Sequence, residues 1–439
     1  MLTTGEAFWF YSLTILIMII LIKNTLHKDF LVMWSPLSVV AIIYLYYCVI
    51  GPYITIQAGD TYYRLLDHRP YYEIGWKAGF LSLLSICVGF GIKDTKKASV
   101  HANTKVHHDL REKRFLLWLA LIGSFLTFGL SGFGVLAGEN LNITGLGGSF
   151  KNYIFYTVNI FIPVLALMFV EYLTNKRRLW VFLVLLIYVL TLFLALGFRY
   201  RLVMLVGSLF MIYYIHKRRK PQWIVLFFGL LVFVALMGFI EITRRLHGGL
   251  IIDESVVELG FADFLLIGMR ESAVFQSTGL MLTAVPDYIP YQNFQFVLET
   301  LAMPIPRELW PGKPSGEELK LILQAYERQT GFEEAGIGAA ILNFGEAFIA
   351  FGWGGLLIVS FIWGLIFRKA WNFFRSNANN IYAIVLFTLF NSFIYVIISR
   401  GYLPQIALNF FFTVYPMFWI WSKIRKRFAR YQIRDEFKS

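Results

Sequence analysis

Cysteine is nearly missing from this chain of 439 residues, which has only Cys48 and Cys87. Both fall inside long apolar runs, so no disulfide framework is available and cysteine says nothing of compartment. Charge is the second scarcity. Asp, Glu, Lys and Arg make up 15% of the chain, against about 25% in globular domains. With 58% hydrophobic and 18% aromatic residues, a soluble fold could not cover itself with polar groups.

Histidine is scarce too, at seven residues. No Asp-x-Asp and no His-Glu-x-x-His occurs, so the sequence offers no metal motif and implies no cofactor. His101, His107 and His108 share segment 93–114 with seven lysines and arginines, as a solvated loop would. Gly134, Gly145, Gly147 and Gly148 follow no strand, which excludes a nucleotide-cradling loop. Ionisable groups are also missing from the middle of the apolar segments. Glu171, Glu241 and Glu346 lie near segment ends, Lys77 lies at a mouth, and Pro163 and Pro416 have no charged partner nearby in sequence. An ion-coupled transporter needs such groups near the bilayer midplane.

What is present is long apolar segments. A span takes roughly 17–25 mostly apolar residues, and eleven segments qualify: 6–22, 31–56, 73–92, 115–134, 153–173, 180–198, 202–216, 223–242, 343–367, 381–399 and 403–422. The fold class is an all-α polytopic membrane protein of about 11 transmembrane helices. Connecting segments alternate in charge. Segments 23–30, 93–114, 174–179, 217–222, 368–380 and 423–439 hold 26 of the 40 lysines and arginines. Positive loops stay in the cytoplasm, so the N-terminus is expected outside and the C-terminus inside. That division accounts for the net +13 without nucleic acid. No basic region precedes the first span, which reads as an uncleaved anchor.

The expected organisation is spans one to eight over 1–242, a large external loop over 243–342, spans nine to eleven over 343–422, and a basic tail over 423–439. The loop carries thirteen acids against seven bases, with six of the thirteen prolines. It is too apolar for a disordered linker. FADFLLIGMRESAVFQSTGLMLTAV has a helical pattern, and Ser315 caps a second helix, GEELKLILQAYERQ.

Five features collect at the outer ends of spans. Arg199 and Arg201 occupy the turn Gly197–Arg201, and Arg400 occupies Ser399–Tyr402. Pro304-Ile305-Pro306-Arg307-Glu308-Leu309-Trp310-Pro311-Gly312-Lys313-Pro314 is a stiff strap presenting Arg307, Trp310 and Lys313. Glu346 lies about one turn inside a glycine-rich span, where a carboxylate is costly unless paired or functional. Arg270-Glu271 closes the feature set on a loop helix. Arginine binds phosphate oxygens bidentately, so the implied ligand is an anionic headgroup at the membrane surface. Tyr200, Trp310, Trp353 and Tyr402 have faces for sugar rings, and an interfacial aromatic belt would place them there as well.

At these residues the chain resembles the oligosaccharide repeat-unit polymerases, the O-antigen polymerase (Wzy-type) group of bacterial membrane glycosyltransferases. The likeness lies in the span plan with one large late external loop, the strap at 306–314, Gly345-Glu346, and the Arg400-Gly401 turn. An Arg-x10-Gly pattern of some members is not found in the large loop. The resemblance implies a GT-C-like fold and a location in the bacterial cytoplasmic (inner) membrane. It implies polymerisation of polyprenyl-diphosphate-linked glycan, donor onto acceptor, at the outer face, with a chain-length regulator and a flippase as companions. Arg199, Arg201 and Arg400 would then bind diphosphate, Glu346 would serve as catalytic base, and Arg307, Lys313, Arg270 and Trp310 would make further substrate contacts. Two alternatives stand beside it: a glycan ligase, whose external histidine could only be His68 or His247, and a flippase or exporter of lipid-linked sugars.

Overall fold

The computed structural model describes residues 2–63, 65–92, 111–131, 148–175, 179–197, 199–247, 256, 258–270, 272–305, 309–314, 317–331 and 340–436. The chain is a bundle of helices. In order these are α1 (Thr4–Leu26), α2 (Pro36–Tyr44), α3 (Gly51–Gln57), α4 (Tyr72–Gly91), α5 (Arg111–Ser131), α6 (Gly148–Thr157), α7 (Phe161–Asn175), α8 (Leu179–Ala195) and α9 (Arg199–Lys217). There follow α10 (Trp223–His247), α11 (Phe261–Met269), α12 (Ala273–Ala284), α13 (Gln295–Ala302), α14 (Glu317–Thr330), α15 (Asn343–Ser376), α16 (Ile381–Ser399), α17 (Leu403–Thr413) and α18 (Tyr415–Glu436). A two-stranded hairpin, β1 (Tyr62–Tyr63) with β2 (Leu66–Asp67), precedes α4.

Local chemistry sets several of the boundaries. Thr3 and Glu6 form a capping box on α1, satisfying donors that no helical carbonyl reaches. Glu6 also holds Arg69 at 2.6 Å, tying the start of α1 to the approach to α4. Ser35 caps α2, with Pro36 at its first position, and Asn380 caps α16 through two backbone N–H groups.

Among the described residues, seven helices are long and apolar enough to cross a membrane, or eight if the bent pair α17–α18, broken by 45°, is one span. The eleven spans expected from the sequence exceed this by α5, α8 and α9. All three are helices here, but α8 has 17 residues and charged residues open both α5 and α9. The bundle centre is α16, where only Phe390 and Tyr395 are not buried. On the periphery, α1 and α10 turn large apolar side chains outward, among them Phe8, Ile15, Phe227 and Val232.

Two chain reversals shape the centre. The first lies inside α15, where Phe351 (φ −142°, ψ 18°) and Gly352 (φ 66°, ψ −154°) leave helical geometry. A Cβ on Gly355 would lie 2.5 Å from the Ala347 carbonyl, and the rings of Phe348 and Trp353 are 5.1 Å apart. Residues 347 and 355 of a straight helix would be about 12 Å apart along the axis, so the two arms fold back on one another. Farther down, the Tyr44 hydroxyl bonds Asn343 Oδ1 (3.2 Å) and Ser82 (2.9 Å), while Ser82 bonds Ser360 (2.7 Å). Carbonyls freed by the break are taken by the Gln292 and Asn293 N–H groups, which donate to Ile349 and Ala350 at 3.0 and 2.9 Å. The expected span over 343–367 is thus carried by the second arm, about 36 Å long from Trp353 onward, and Glu346 rides on the first.

The second reversal brings α11 back along α10. The backbone of Phe264 comes against Gly238, and that of Val234 against Gly268, a close approach that small residues permit. α12 then packs on α4, with Gly279 against Tyr71 and Phe275 against Gly75. Segment 243–342 therefore contributes helices that pack into the bundle as well as the surface elements α13 and α14.

Candidate functional site: a carboxylate pair and an arginine at the α16–α17 turn

Gly401 explains how this site is built. A Cβ there would lie 2.5 Å from the Asn343 nitrogen and from the Leu342 carbonyl, so only glycine lets the turn press onto the foot of α15. The contact is fastened by the Gly401 N–H, which donates to the Ile341 carbonyl at 2.8 Å. Arg400 ends α16 immediately before it. Leu403 begins α17 immediately after, with Pro404 in its first turn.

Glu346 faces this turn. Its Oε1 accepts the Leu403 N–H at 3.1 Å, one of the donors that a helix start leaves unsatisfied. The positive end of α17 favours a carboxylate there. Among the described residues, Oε2 has no hydrogen-bond partner. A second carboxylate converges on the same turn. Glu299, 3% exposed on α13, accepts the Tyr402 hydroxyl at 2.9 Å and the Gln295 amide at 3.5 Å, and it lies within electrostatic reach of Glu346. The ring of Phe296 meets that of Tyr402 at 6.2 Å and holds α13 in place.

Arg400 is half-buried, and among the described residues its guanidinium makes no hydrogen bond or ion pair. Behind it stands Tyr156, which bonds Gln405 and lies within electrostatic reach of both Arg400 and Arg201. Arg201 is fully buried. Its guanidinium lies over the rings of Phe155 (4.4 Å), Tyr200 (5.7 Å) and Phe193 (5.8 Å) and donates to the Phe155 carbonyl at 3.3 Å.

The other residues expected to act together are dispersed. Arg199 and Arg201 are two positions apart on α9, about 200° around the helix, and so face opposite sides. Arg199 pairs with Glu241 of α10 at 2.9 Å. Lys313 donates to the carbonyls of Met303 (3.3 Å) and Ile305 (2.7 Å), which makes it the clasp of its own strap. Trp310 is exposed. Arg270 is half-buried at the end of α11, while its neighbour Glu271 and Arg307 lie outside the described residues. Lys77 sits over the rings of Trp353 (4.9 Å) and Trp9 (5.9 Å).

His68, one of two histidines open to a ligase reading, is fully buried. Its ring faces the carbonyls of Tyr63 (3.2 Å) and Gln276 (3.3 Å) and the Tyr326 hydroxyl (3.0 Å). Burial holds it at a pKa of about 4, despite the carbonyl bonds that act the other way. It therefore stays neutral and joins the hairpin to α12 and α14.

Glu299, Tyr156 and Gln405 escaped the sequence reading. Nothing in QFVLETLA sets Glu299 apart from the loop's other acids; among those whose burial is described, it is the buried one.

The fold and site define an all-α polytopic membrane protein with a carboxylate pair and a half-buried arginine at one end of its bundle. The family model of the O-antigen polysaccharide polymerase Wzy matches residues 3–428, and the chain belongs to that family. Its members are glycosyltransferase-type enzymes that polymerise repeat units in polysaccharide biosynthesis, acting on lipid-linked oligosaccharides in a membrane. Comparison with curated proteins and with solved structures finds no match.

Proposed function

We propose that the chain lengthens polyprenyl-diphosphate-linked glycan at the outer face of the bacterial cytoplasmic membrane, using Glu346 and Arg400 as its reacting-site groups. The observation that carries this reading is the α16–α17 turn, which sets an open carboxylate oxygen and an arginine beside the same few backbone atoms. The acceptor hydroxyl loses its proton to Glu346 and attacks the anomeric carbon of the donor glycan. The bond from that carbon to the diphosphate oxygen breaks, and the electron pair leaves with the polyprenyl diphosphate. Fixed positive charge from Arg400 stabilises the leaving group, as preorganised charge does in a site poor in water.

Arg201 is too deeply buried to meet the substrate as the bundle stands. It acts through Tyr156, holding the wall behind Arg400. Glu299 keeps Tyr402 turned inward and fixes the turn from the other side. Arg199 holds α9 to α10, Lys313 closes the strap, and Trp310 and Arg307 on that strap, with Arg270, form the outer approach for the glycan. In this scheme the chemistry asks for no metal, because a diphosphate leaves readily once fixed positive charge balances its own.

The positive-inside pattern supports eleven spans with the N-terminus outside, which places 243–342 and the α16–α17 turn on the same outer side. A chain-length regulator and a flippase complete the pathway in this reading. Reconstituted with lipid-linked repeat units, Glu346→Gln should remain folded and leave single units, whereas the wild type makes a ladder. Long polymer from Glu346→Gln would remove the base from the scheme.

A further inference from the structure

Away from Glu346, the bundle contains a slot of about 320 Å³ between α1, α2, α9, α10 and α16. Its walls include Ile42, Tyr47, Val203, Phe210, Leu230 and Tyr395. Along α9 the lining runs from Arg199 to Met211, about 18 Å and more than half of a hydrocarbon core of about 30 Å. Nearly every wall residue is apolar. Ile42 and Leu230 are 51% and 56% exposed, so the slot opens sideways between α2 and α10.

One end of the slot lies toward the end of α16 that carries Arg400. Tyr47 and Tyr395 join hydroxyls at 2.5 Å across that end, with the Arg199–Glu241 pair beside them. One turn farther along α16, Ser399 donates to the Tyr395 carbonyl at 2.8 Å, and Arg400 follows. From Tyr395 to Arg400 is about 7.5 Å along the helix. Five helical residues also turn Arg400 about 140° around α16 from Tyr395, so a headgroup bound there curves around the helix end from the mouth of a long apolar file.

We propose that this slot binds the isoprenoid tail of the lipid-linked glycan, entering sideways between α2 and α10 with its diphosphate at Arg400; the assignment of headgroup rests on the function proposed above. A polyprenyl diphosphate has one chain per headgroup, which suits a single file under one arginine. A phospholipid would leave its second chain outside.

The test reads binding, not turnover. The full chain in nanodiscs is photolabelled with a polyprenyl phosphate carrying a diazirine on its tail, and the labelled peptides are mapped. Label is expected on the slot faces of α2, α9, α10 and α16, displaced by unlabelled polyprenyl phosphate and not by phosphatidylglycerol. Val203→Trp and Leu230→Trp, which fill the slot, should each cut labelling about tenfold, while Val203→Ala retains it. Ile187→Trp, on an exposed face of α8, should leave it unchanged. Label spread over outward-facing helices, equal displacement by phosphatidylglycerol, or undiminished labelling of the filled variants overturns the proposal. Slot labelling in a protein that lengthens no glycan would sustain the isoprenoid site and defeat the enzymatic reading. Glycan lengthening without slot labelling would do the reverse.

Discussion

Replacing Gly352 by alanine attacks the reversal that presents Glu346. The residue stands at φ 66°, ψ −154°, a region essentially reserved for glycine, where any other residue costs about 1–3 kcal/mol. The new Cβ would also lie 2.9 Å from the Tyr291 hydroxyl. That ring is backed by Phe348, edge-on at 6.5 Å, and yields only by disturbing the arm that carries Glu346. A torsional cost of that size shifts the balance between folded-back and opened arms by roughly 5- to 150-fold. A displacement of about 1 Å at a reacting group can itself cost about 100-fold in rate. The assay is product-ladder formation in vesicles, paired with a thermal melt followed by tryptophan fluorescence, since Trp353 adjoins the reversal. Gly352→Ala should melt earlier and lengthen glycan at least about tenfold more slowly. Adding Tyr291→Ala removes the contact and keeps the torsion, so recovery should be partial. Wild-type melting and rate in Gly352→Ala, or complete recovery in the double variant, would refute the argument from backbone conformation.

Three further outcomes are expected. Glu299→Gln keeps the shape of the side chain but gives Tyr402 a weaker acceptor, since bonds to a charged group are roughly twice as strong; it should slow polymerisation while Glu299→Ala slows it further, and equal rates for the two would deny Glu299 its positioning role. Arg199→Ala leaves Glu241 nearly buried without its arginine and should cost about 3–5 kcal/mol, much of it restored by adding Glu241→Gln; a melt unmoved by Arg199→Ala would show the pair to be idle. His68, held at about 4 against about 6.5 in the unfolded chain, makes the unfolded state the better proton binder between those values, so stability falls as pH drops through that window, by roughly 3 kcal/mol in all. Melts of the wild type and His68→Gln across pH 7 to 4 check this, and parallel curves would contradict it.

Glu346 and Arg400 of the candidate site stand out in one dimension, but their grouping in space does not follow from it. Arg400-Gly401 and Gly345-Glu346 announced themselves as polar or glycine-rich breaks in apolar segments, and the bundle brings both to one turn. Arg199 and Arg201 looked like partners because they are neighbours in sequence, yet a helix of 3.6 residues per turn sends them to opposite faces. Lys313 looked like a presented cation, and its strap folds so that three-donor ammonium meets its own carbonyls. Glu299 carried no signal, because burial of one acid among thirteen in 243–342 depends on where α13 docks.

The sequence by itself determined that this chain lives in a membrane, since 15% charge cannot solvate the surface of 58% apolar residues. It also determined where most helices lie, through the lengths of the apolar runs and the basic segments between them. It could not say which helices face lipid. An apolar residue is equally at home against a neighbouring helix or a lipid tail, so α16 at the centre and α1 at the rim read alike. Nor could it show that α15 turns back at Gly352, because two short arms and one long helix share the same composition. Only the tertiary structure decided that, by closing the backbone around a single positive φ and setting Glu346 against the first N–H of α17.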